Sequence, residues 1–264
     1  MEENHIKNYW ENQGKVHNES HWASWGDNWM IDLEIETISE HINNNDKVLD
    51  VGCANGYSTF NQLKKHNLNA ITGVDFAENM IHYANESLKK NKCSNVNFEV
   101  GDVRNLKFSD NTFDVVYTTR VIINLPTWEE QINAIKECIR VAKSGGTIVL
   151  CEGFWEPLVK LNALRTLANL EPLAEHDFNR YLKKNNVKKF LNSLNLDFEI
   201  VDFSSIYYIG SRFLRELVTD YTEYEGFSNP INAKFASIQK DYKGGEVGIQ
   251  QAIIIKKILY RSIS

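Results

Sequence analysis

Cysteine is scarce in this chain of 264 residues: Cys53, Cys93, Cys138 and Cys151 stand singly inside strand and helix patterns, without metal-like spacing. That argues against a disulfide framework or a metal site and for reduced thiols in a cytosol. A basic excess is missing as well. Lys and Arg number 29 against 35 Asp and Glu, a formal charge of -6, so no global basic field serves nucleic acid and any anion site must be local. No apolar run approaches the roughly 20 residues of a membrane helix. The opening MEENHIKNYW lacks the apolar core of a signal peptide. Repeats and low-complexity segments are absent. These absences lead to the expectation of a cytoplasmic protein with no membrane or nucleic-acid partner, and leave the oligomeric state open. The length allows one large domain or a domain with a substantial insertion.

What is present is concentrated between Lys47 and Thr59, KVLDVGCANGYST. Val48, Leu49 and Val51 predict a buried strand, followed by a glycine-broken turn and a helix starting near Ser58 or Thr59. In an open α/β sheet the crevice at the carboxyl end of the first strand holds a nucleotide-like ligand. Gly52 and Gly56, lacking Cβ, let the backbone approach that ligand. Asp50 places a carboxylate beside the turn, which suits a cationic group better than a phosphate. A dinucleotide fingerprint needs small residues at positions 1, 3 and 6. Here those are Gly52, Ala54 and Tyr57, and a tyrosine would wedge helix and strand apart. This weighs against a nucleotide-cofactor oxidoreductase; a cofactor-binding partner subunit without catalysis is a third reading.

Asp50-Val51-Gly52-Cys53-Ala54-Asn55-Gly56 resembles the acidic-x-Gly-x-Gly-x-Gly signature of class I S-adenosylmethionine-dependent methyltransferases, with Ala54 at the middle glycine. Alanine is expected to be a mild change there, needing only negative φ. The resemblance covers about residues 30 to 258, firmly to Glu152 and loosely after it. It implies S-adenosyl-L-methionine as donor, S-adenosyl-L-homocysteine as product, and a seven-stranded Rossmann-like sheet whose last strand is antiparallel. Strands alternating with helices at this rhythm independently predict a doubly wound α/β sheet.

Before that core, His5 to Trp29 carries Tyr9, Trp10, Trp22, Trp25 and Trp29, too aromatic for a disordered tail. Residues 1–28 are expected to form a lid segment, with Tyr9 or Trp25 closing over the pocket. Ile31, Ile35, Ile38 and Ile42 predict a helix. The second strand ends at Asp75, about 20 residues past the glycines, the separation at which a carboxylate meets a ribose. Phe76 and Met80 are placed to cover the two faces of an adenine, although Met80 equally belongs to the apolar stripe of its helix. The third strand ends at Gly101-Asp102-Val103, where the resemblance puts an acid on the adenine amino group. It also puts Asp50 and carbonyls near Gly52 and Thr118 on the amino acid end of the donor. Lys143 to Gly146 is expected to close the helix that starts after Pro126-Thr127, with Thr147 to Glu152 as the fifth strand.

The boundaries expected are a cofactor-binding core at 29–152, helical acceptor-binding insertions with a sixth strand (Asp197 to Ser204) at 153–246, and a final strand (Val247 to Ile258) with tail at 247–264. On the acceptor side His176 is the candidate base, His21 the second, and Glu152 a group to orient acceptor or base. Arg120 and Asn124, with Asn179, Tyr207, Tyr208 and Arg212, form a polar and aromatic set able to grip a sugar-like or anionic small molecule. The run Thr119 to Leu125, with Glu152 and the His176–Asn179 segment, is similar to methyltransferases of bacterial surface-polysaccharide (capsule) pathways. That similarity implies methylation, at oxygen, of a sugar, nucleotide-linked or phosphoramidate intermediate.

Overall fold

The computed structural model describes residues 3–218 and 227–257. Its strands are β1 (Lys47–Val51), β2 (Ala70–Asp75), β3 (Val96–Val100), β4 (Phe113–Thr119), β5 (Ala142–Gly153), β6 (Asp197–Asp202) and β7 (Gln250–Lys256). They form one seven-stranded sheet in the order β3-β2-β1-β4-β5-β7-β6. β1 to β5 are parallel, and β7 runs antiparallel between β5 and β6. This is the doubly wound α/β fold with an antiparallel last strand. The expected tail beyond 257, the end of the final strand at Ile258, and the part of the insertion at 219–226 lie outside the described residues.

Side chains of successive strand residues face opposite ways, and this sheet is buried on both faces, so its strands are nearly continuous apolar runs. Leu49, Val116, Ile148 and Ile253 belong to one core, while Val48, Val115, Val149 and Ile254 belong to the other. The helices are α1 (Glu3–His17), α2 (Asn28–Ser39), α3 (Tyr57–Lys65), α4 (Glu78–Asn91), α5 (Trp128–Val141), α6 (Trp155–Leu167), α7 (Lys184–Ser193), α8 (Ser205–Ile209), α9 (Arg215–Val218) and α10 (Pro230–Lys240). Ile135 of α5 and Leu191 of α7 fill the first core; Leu33 of α2 and Leu161 of α6 fill the second. Among the described residues no helix is long and apolar enough to cross a membrane.

Several boundaries differ from expectation; β6 ends at Asp202 and not Ser204, and β7 starts at Gln250 and not Val247. α3 starts at Tyr57, because Gly56 takes φ 82 and turns the chain one residue early. α2 ends at Ser39, and Ile42 is buried beyond it in the following turn. Lys143 to Gly146 belong to β5 rather than to a helix end: Phe113 pairs with Ala142 but Val115 with Thr147. The extra residues bulge, and Gly145 N–H donates to Lys257 O while Lys257 N–H donates to Gly146 O.

The chain leaves β1 toward β2 on one side and reaches β4 on the other, which makes the carboxyl ends of β1 and β4 the switch point where ligands of such sheets lie. At the far edge, the buried Asp202 ties β6 to β7. It accepts from Ser204 N–H (3.0 Å), Ser205 N–H (3.0 Å), Ser205 Oγ (2.6 Å) and Gln251 Nε2 (3.2 Å). Asp202→Ala orphans these buried donors and is expected to lower stability by about 2–4 kcal/mol. Chemical denaturation measures it; a loss below about 0.5 kcal/mol contradicts the role.

Candidate active site

The turn after β1 is held open by backbone conformation. Gly52, Ala54 and Gly56 all have positive φ, 74, 47 and 82. The expectation of negative φ at Ala54 is thus corrected. Its N–H donates to Asp75 Oδ2 at 2.9 Å, and its left-handed φ belongs to the path the turn takes from β1 to α3. Gly52 and Cys53 N–H donate to Val74 O at 2.6 and 3.0 Å. A Cβ on Gly52 would come within 2.1 Å of Val121 Cγ2. Val121 lines the cavity, so the missing Cβ keeps it open.

That cavity encloses about 1160 Å³ of empty space, open solvent at its mouth included. Gly52, Cys53, Ala54, Asp75, Phe76, Asp102 and Val103 line it, as the sequence predicts for a donor site, and so do Arg120 and Asn124 from the substrate set. Asp75 is buried, which pushes its carboxyl up to about 6 against the N–H groups of Ala77 and Ala54. Each of its oxygens accepts one backbone N–H and retains a lone pair. Burial also works to raise the Asp102 carboxyl, but hydrogen bonds from Arg104 hold it below the usual range. Arg104 in turn reaches Glu130 at 3.0 Å.

Asp50 lies behind the turn instead of on the cavity. Its Oδ2 accepts from Thr59 Oγ1 (2.6 Å) and Tyr117 OH (2.7 Å), and its Oδ1 is buried with no hydrogen-bond partner. Burial pushes this carboxyl up to about 7. Thr118 likewise turns away: its Oγ1 donates to Glu152 at 2.7 Å. Glu152, fully buried, also accepts from Val121, Ile122 and Ile123 N–H. Both its oxygens are occupied in shaping the loop after β4, so it orients backbone and does not face an acceptor. Met80 packs with Ala23 and Ala77, a core position, and not on the cavity.

The N-terminal segment covers the cavity through Ile6, Trp10 and Ser24. Tyr9 and Trp25, the expected lid residues, do not line it. Tyr9 packs on Phe178 and His176, with centroids 4.9 and 5.3 Å apart, while the Arg120 guanidinium lies over Trp25 at 4.7 Å. Several attachments hold the segment. Trp10 Nε1 donates to Asn124 Oδ1 at 3.1 Å. Asn55 Nδ2 donates to the carbonyls of Asn18 and Ser20. Glu11 accepts from Glu78 and Asn79 N–H at the start of α4, where the helix dipole favours a carboxylate.

The acceptor set separates. His176 lines a neighbouring groove with Trp155, Asp177 and Arg180, and is absent from the main cavity. Asn179 N–H donates to His176 O in that same segment. His21 packs against Trp22 and Tyr57 at 5.8 and 5.7 Å, and burial lowers its pKa against the pull of Asp32. Tyr207, Tyr208 and Arg212 are buried and form a scaffold: Tyr207 OH and Arg212 both donate to Asp27, and Arg212 is ringed by Trp25, Tyr207, Tyr208 and Phe227. Two charged cavity residues went unanticipated. Arg104 sits two positions past Asp102, and Glu34 of α2 pairs with Arg120. Glu34 stands three residues after Ile31 and four before Ile38 on the apolar stripe of α2, and an acid on such a stripe is the signal that marks it.

With this geometry established, the methyltransferase domain family matches residues 42–195. The chain belongs to that family. It is 36% identical over 113 residues to demethylmenaquinone methyltransferase of Staphylococcus haemolyticus, covering 42% of this chain and 45% of the relative. To phosphoethanolamine N-methyltransferase 3 of Arabidopsis thaliana it is 30% identical over 133 residues, 48% of this chain and 26% of the relative. The match thus spans under half the length of either relative. The fold is similar to that of geranyl diphosphate C-methyltransferase from Streptomyces coelicolor, solved with Mg2+, geranyl diphosphate and S-adenosyl-L-homocysteine (TM-score 0.58, 15% identity, 86% of this chain and 79% of that one).

Gly52→Ala forces a Cβ into Val121 at a positive φ and is expected to destabilise the fold by about 1–3 kcal/mol. Thermal unfolding reports it, and an unchanged midpoint contradicts the tight turn.

Proposed function

We propose that this chain is an S-adenosylmethionine-dependent methyltransferase acting on a small polar acceptor. The observation that carries the reading is the left-handed turn after β1, which lines the cavity beside the buried Asp75, whose two oxygens each keep a lone pair. Asp50, behind that turn, acts on the positive charge of the donor's amino acid end through space and not by contact. The donor supplies an electrophilic methyl on a sulfonium. Asp75 retains lone pairs for ribose hydroxyls, and Phe76 and Val103 offer apolar surface to the adenine. The protein's part is alignment and exclusion of water, an effect worth up to roughly 7–11 kcal/mol.

Residues 1–28 serve as the lid, 29–152 hold the donor, and 153–246 with the final strand complete the acceptor side. Both cavity arginines are neutralised: Arg104 by Asp102 and Glu130, Arg120 by Glu34. A neutral, sugar-like acceptor methylated at oxygen therefore fits better than an anionic one. Its placement in a surface-polysaccharide pathway rests on the run Thr119 to Leu125. A second reading, transfer to an amine nitrogen, is favoured by the buried carboxylate of Glu34 and by the activity named for the Arabidopsis relative.

Calorimetry is expected to show binding of S-adenosyl-L-homocysteine and none of NAD; the reverse contradicts the reading. Asp75→Ala should weaken S-adenosyl-L-homocysteine binding by about 1–3 kcal/mol, and unchanged affinity refutes the ribose role. Burial favours the neutral carboxyls of Asp50 and Asp75, with values near 7 and 6. The unliganded fold therefore loses stability as pH rises from the ordinary carboxylate range through about 7. The ligand's ammonium and hydroxyls want the ionised forms, so affinity should rise over the same interval. Affinity that is flat or falling from about pH 5 to about pH 8 contradicts the coupling.

A further inference from the structure

We propose that Glu34 is the group that orients and deprotonates the acceptor, which therefore presents an N–H or O–H to it and carries no net negative charge. This inference rests on the methyltransferase reading and adds the residue and the charge class to it.

Among the described residues, three carboxylates line the cavity: Glu34, Asp75 and Asp102. Asp75 is committed to two backbone N–H groups. Asp102 is held by the Arg104 guanidinium through both oxygens. Glu34 differs. Its Oε2 accepts from Arg120, while its Oε1 is buried and has no hydrogen-bond partner. The residue is only 1% exposed, and an ionised oxygen in that state needs a hydrogen-bond donor. Neither histidine considered for the base lines the cavity, and both oxygens of Glu152 are taken.

Position agrees with chemistry. β1 lies between β2 and β4 in the sheet. Asp75 and Asp102 stand at the ends of β2 and β3, the side assigned to the adenosine. Arg120 follows β4 on the opposite side, and Glu34 is bound to it. The donor's long axis would thus run from β3 toward Glu34, leaving the acceptor there. Burial raises the Glu34 carboxyl although Arg120 opposes it, a shift toward the range where a general base works near neutral pH. Arg120 is fixed twice, by Glu34 and by stacking on Trp25. It is thereby withheld from an acceptor's phosphate or carboxylate. In the transfer, the acceptor's lone pair forms the bond to the methyl carbon. The carbon–sulfur pair stays on sulfur, leaving a neutral thioether, and the acceptor's proton passes to Glu34 Oε1 and then to water.

The test uses the full chain, Glu34→Gln and Glu34→Asp, with ethanolamine, glucosamine and their phosphorylated counterparts as acceptors and labelled donor methyl as the tracer. Calorimetry with S-adenosyl-L-homocysteine and thermal unfolding accompany each variant. Wild type is expected to methylate at least one unphosphorylated compound in preference to its phosphate. Glu34→Gln should lower kcat by about 10²–10⁴-fold, with S-adenosyl-L-homocysteine affinity within about twofold of wild type. Should Glu34→Gln fail to fold, Glu34→Asp keeps the charge opposite Arg120 but retracts the oxygens, and must show reduced kcat at unchanged S-adenosyl-L-homocysteine affinity. Full kcat in either folded variant, preference for the phosphates, transfer to none of the four, or a matching loss of S-adenosyl-L-homocysteine affinity overturns the assignment. Failure of wild type to bind S-adenosyl-L-homocysteine is a different result, and sinks the donor reading beneath it.

Discussion

The structure depends on withdrawing negative charge from water at the ends of adjacent strands. Asp50 closes β1 and Asp75 closes β2, both buried, and an ionised carboxylate in such surroundings needs compensation by hydrogen bonds or by positive charge. The turn between β1 and α3 supplies part of it: Ala54 delivers one N–H to Asp75, and Thr59 and Tyr117 deliver hydroxyls to Asp50. Much of the local sequence follows from this. Glycine at 52 and 56 permits the path, and the buried Asn55 side chain holds the N-terminal segment.

A third buried carboxylate works differently. Glu152 is saturated by Thr118 and three backbone N–H groups, so it sets the loop that presents Val121 and Arg120 to the cavity. Glu34 then pins Arg120, and Trp25 lies against its guanidinium. Trp25 also borders the Arg212 cluster, where Asp27 of the N-terminal region meets Tyr207 and Arg212. The cover of the cavity and the helices after β6 are therefore joined through one buried polar and aromatic cluster. A cover attached in this way is positioned by the same groups that shape the acceptor side.

The turn after β1 and the acid closing β2 were legible in the sequence because their signals are local. A strand, a glycine turn and an acid at a fixed separation lie within some thirty residues of chain, and backbone geometry alone relates them. The surroundings of Arg120, Arg212 and His176 were not, because their contacts join residues far apart. Nothing near Arg212 announces Asp27 as its partner, and nothing near His176 shows that it faces a separate groove. Helical phase explains the exchange of Tyr9 for Trp10: Ile6 and Trp10 are four residues apart and share a face of α1, and that face meets the cavity. Ala54 was misjudged because its left-handed φ follows from the path of the whole turn between β1 and α3, which residue type alone does not reveal.

The most direct measurement is a crystal structure of the chain with S-adenosyl-L-homocysteine. The account predicts the adenosine between Phe76 and Val103 with ribose hydroxyls on Asp75, the amino acid end over the Gly52–Gly56 turn, and the sulfur directed toward Glu34 and Arg120. Density for the ligand outside this cavity, or a ribose turned away from Asp75, would contradict it.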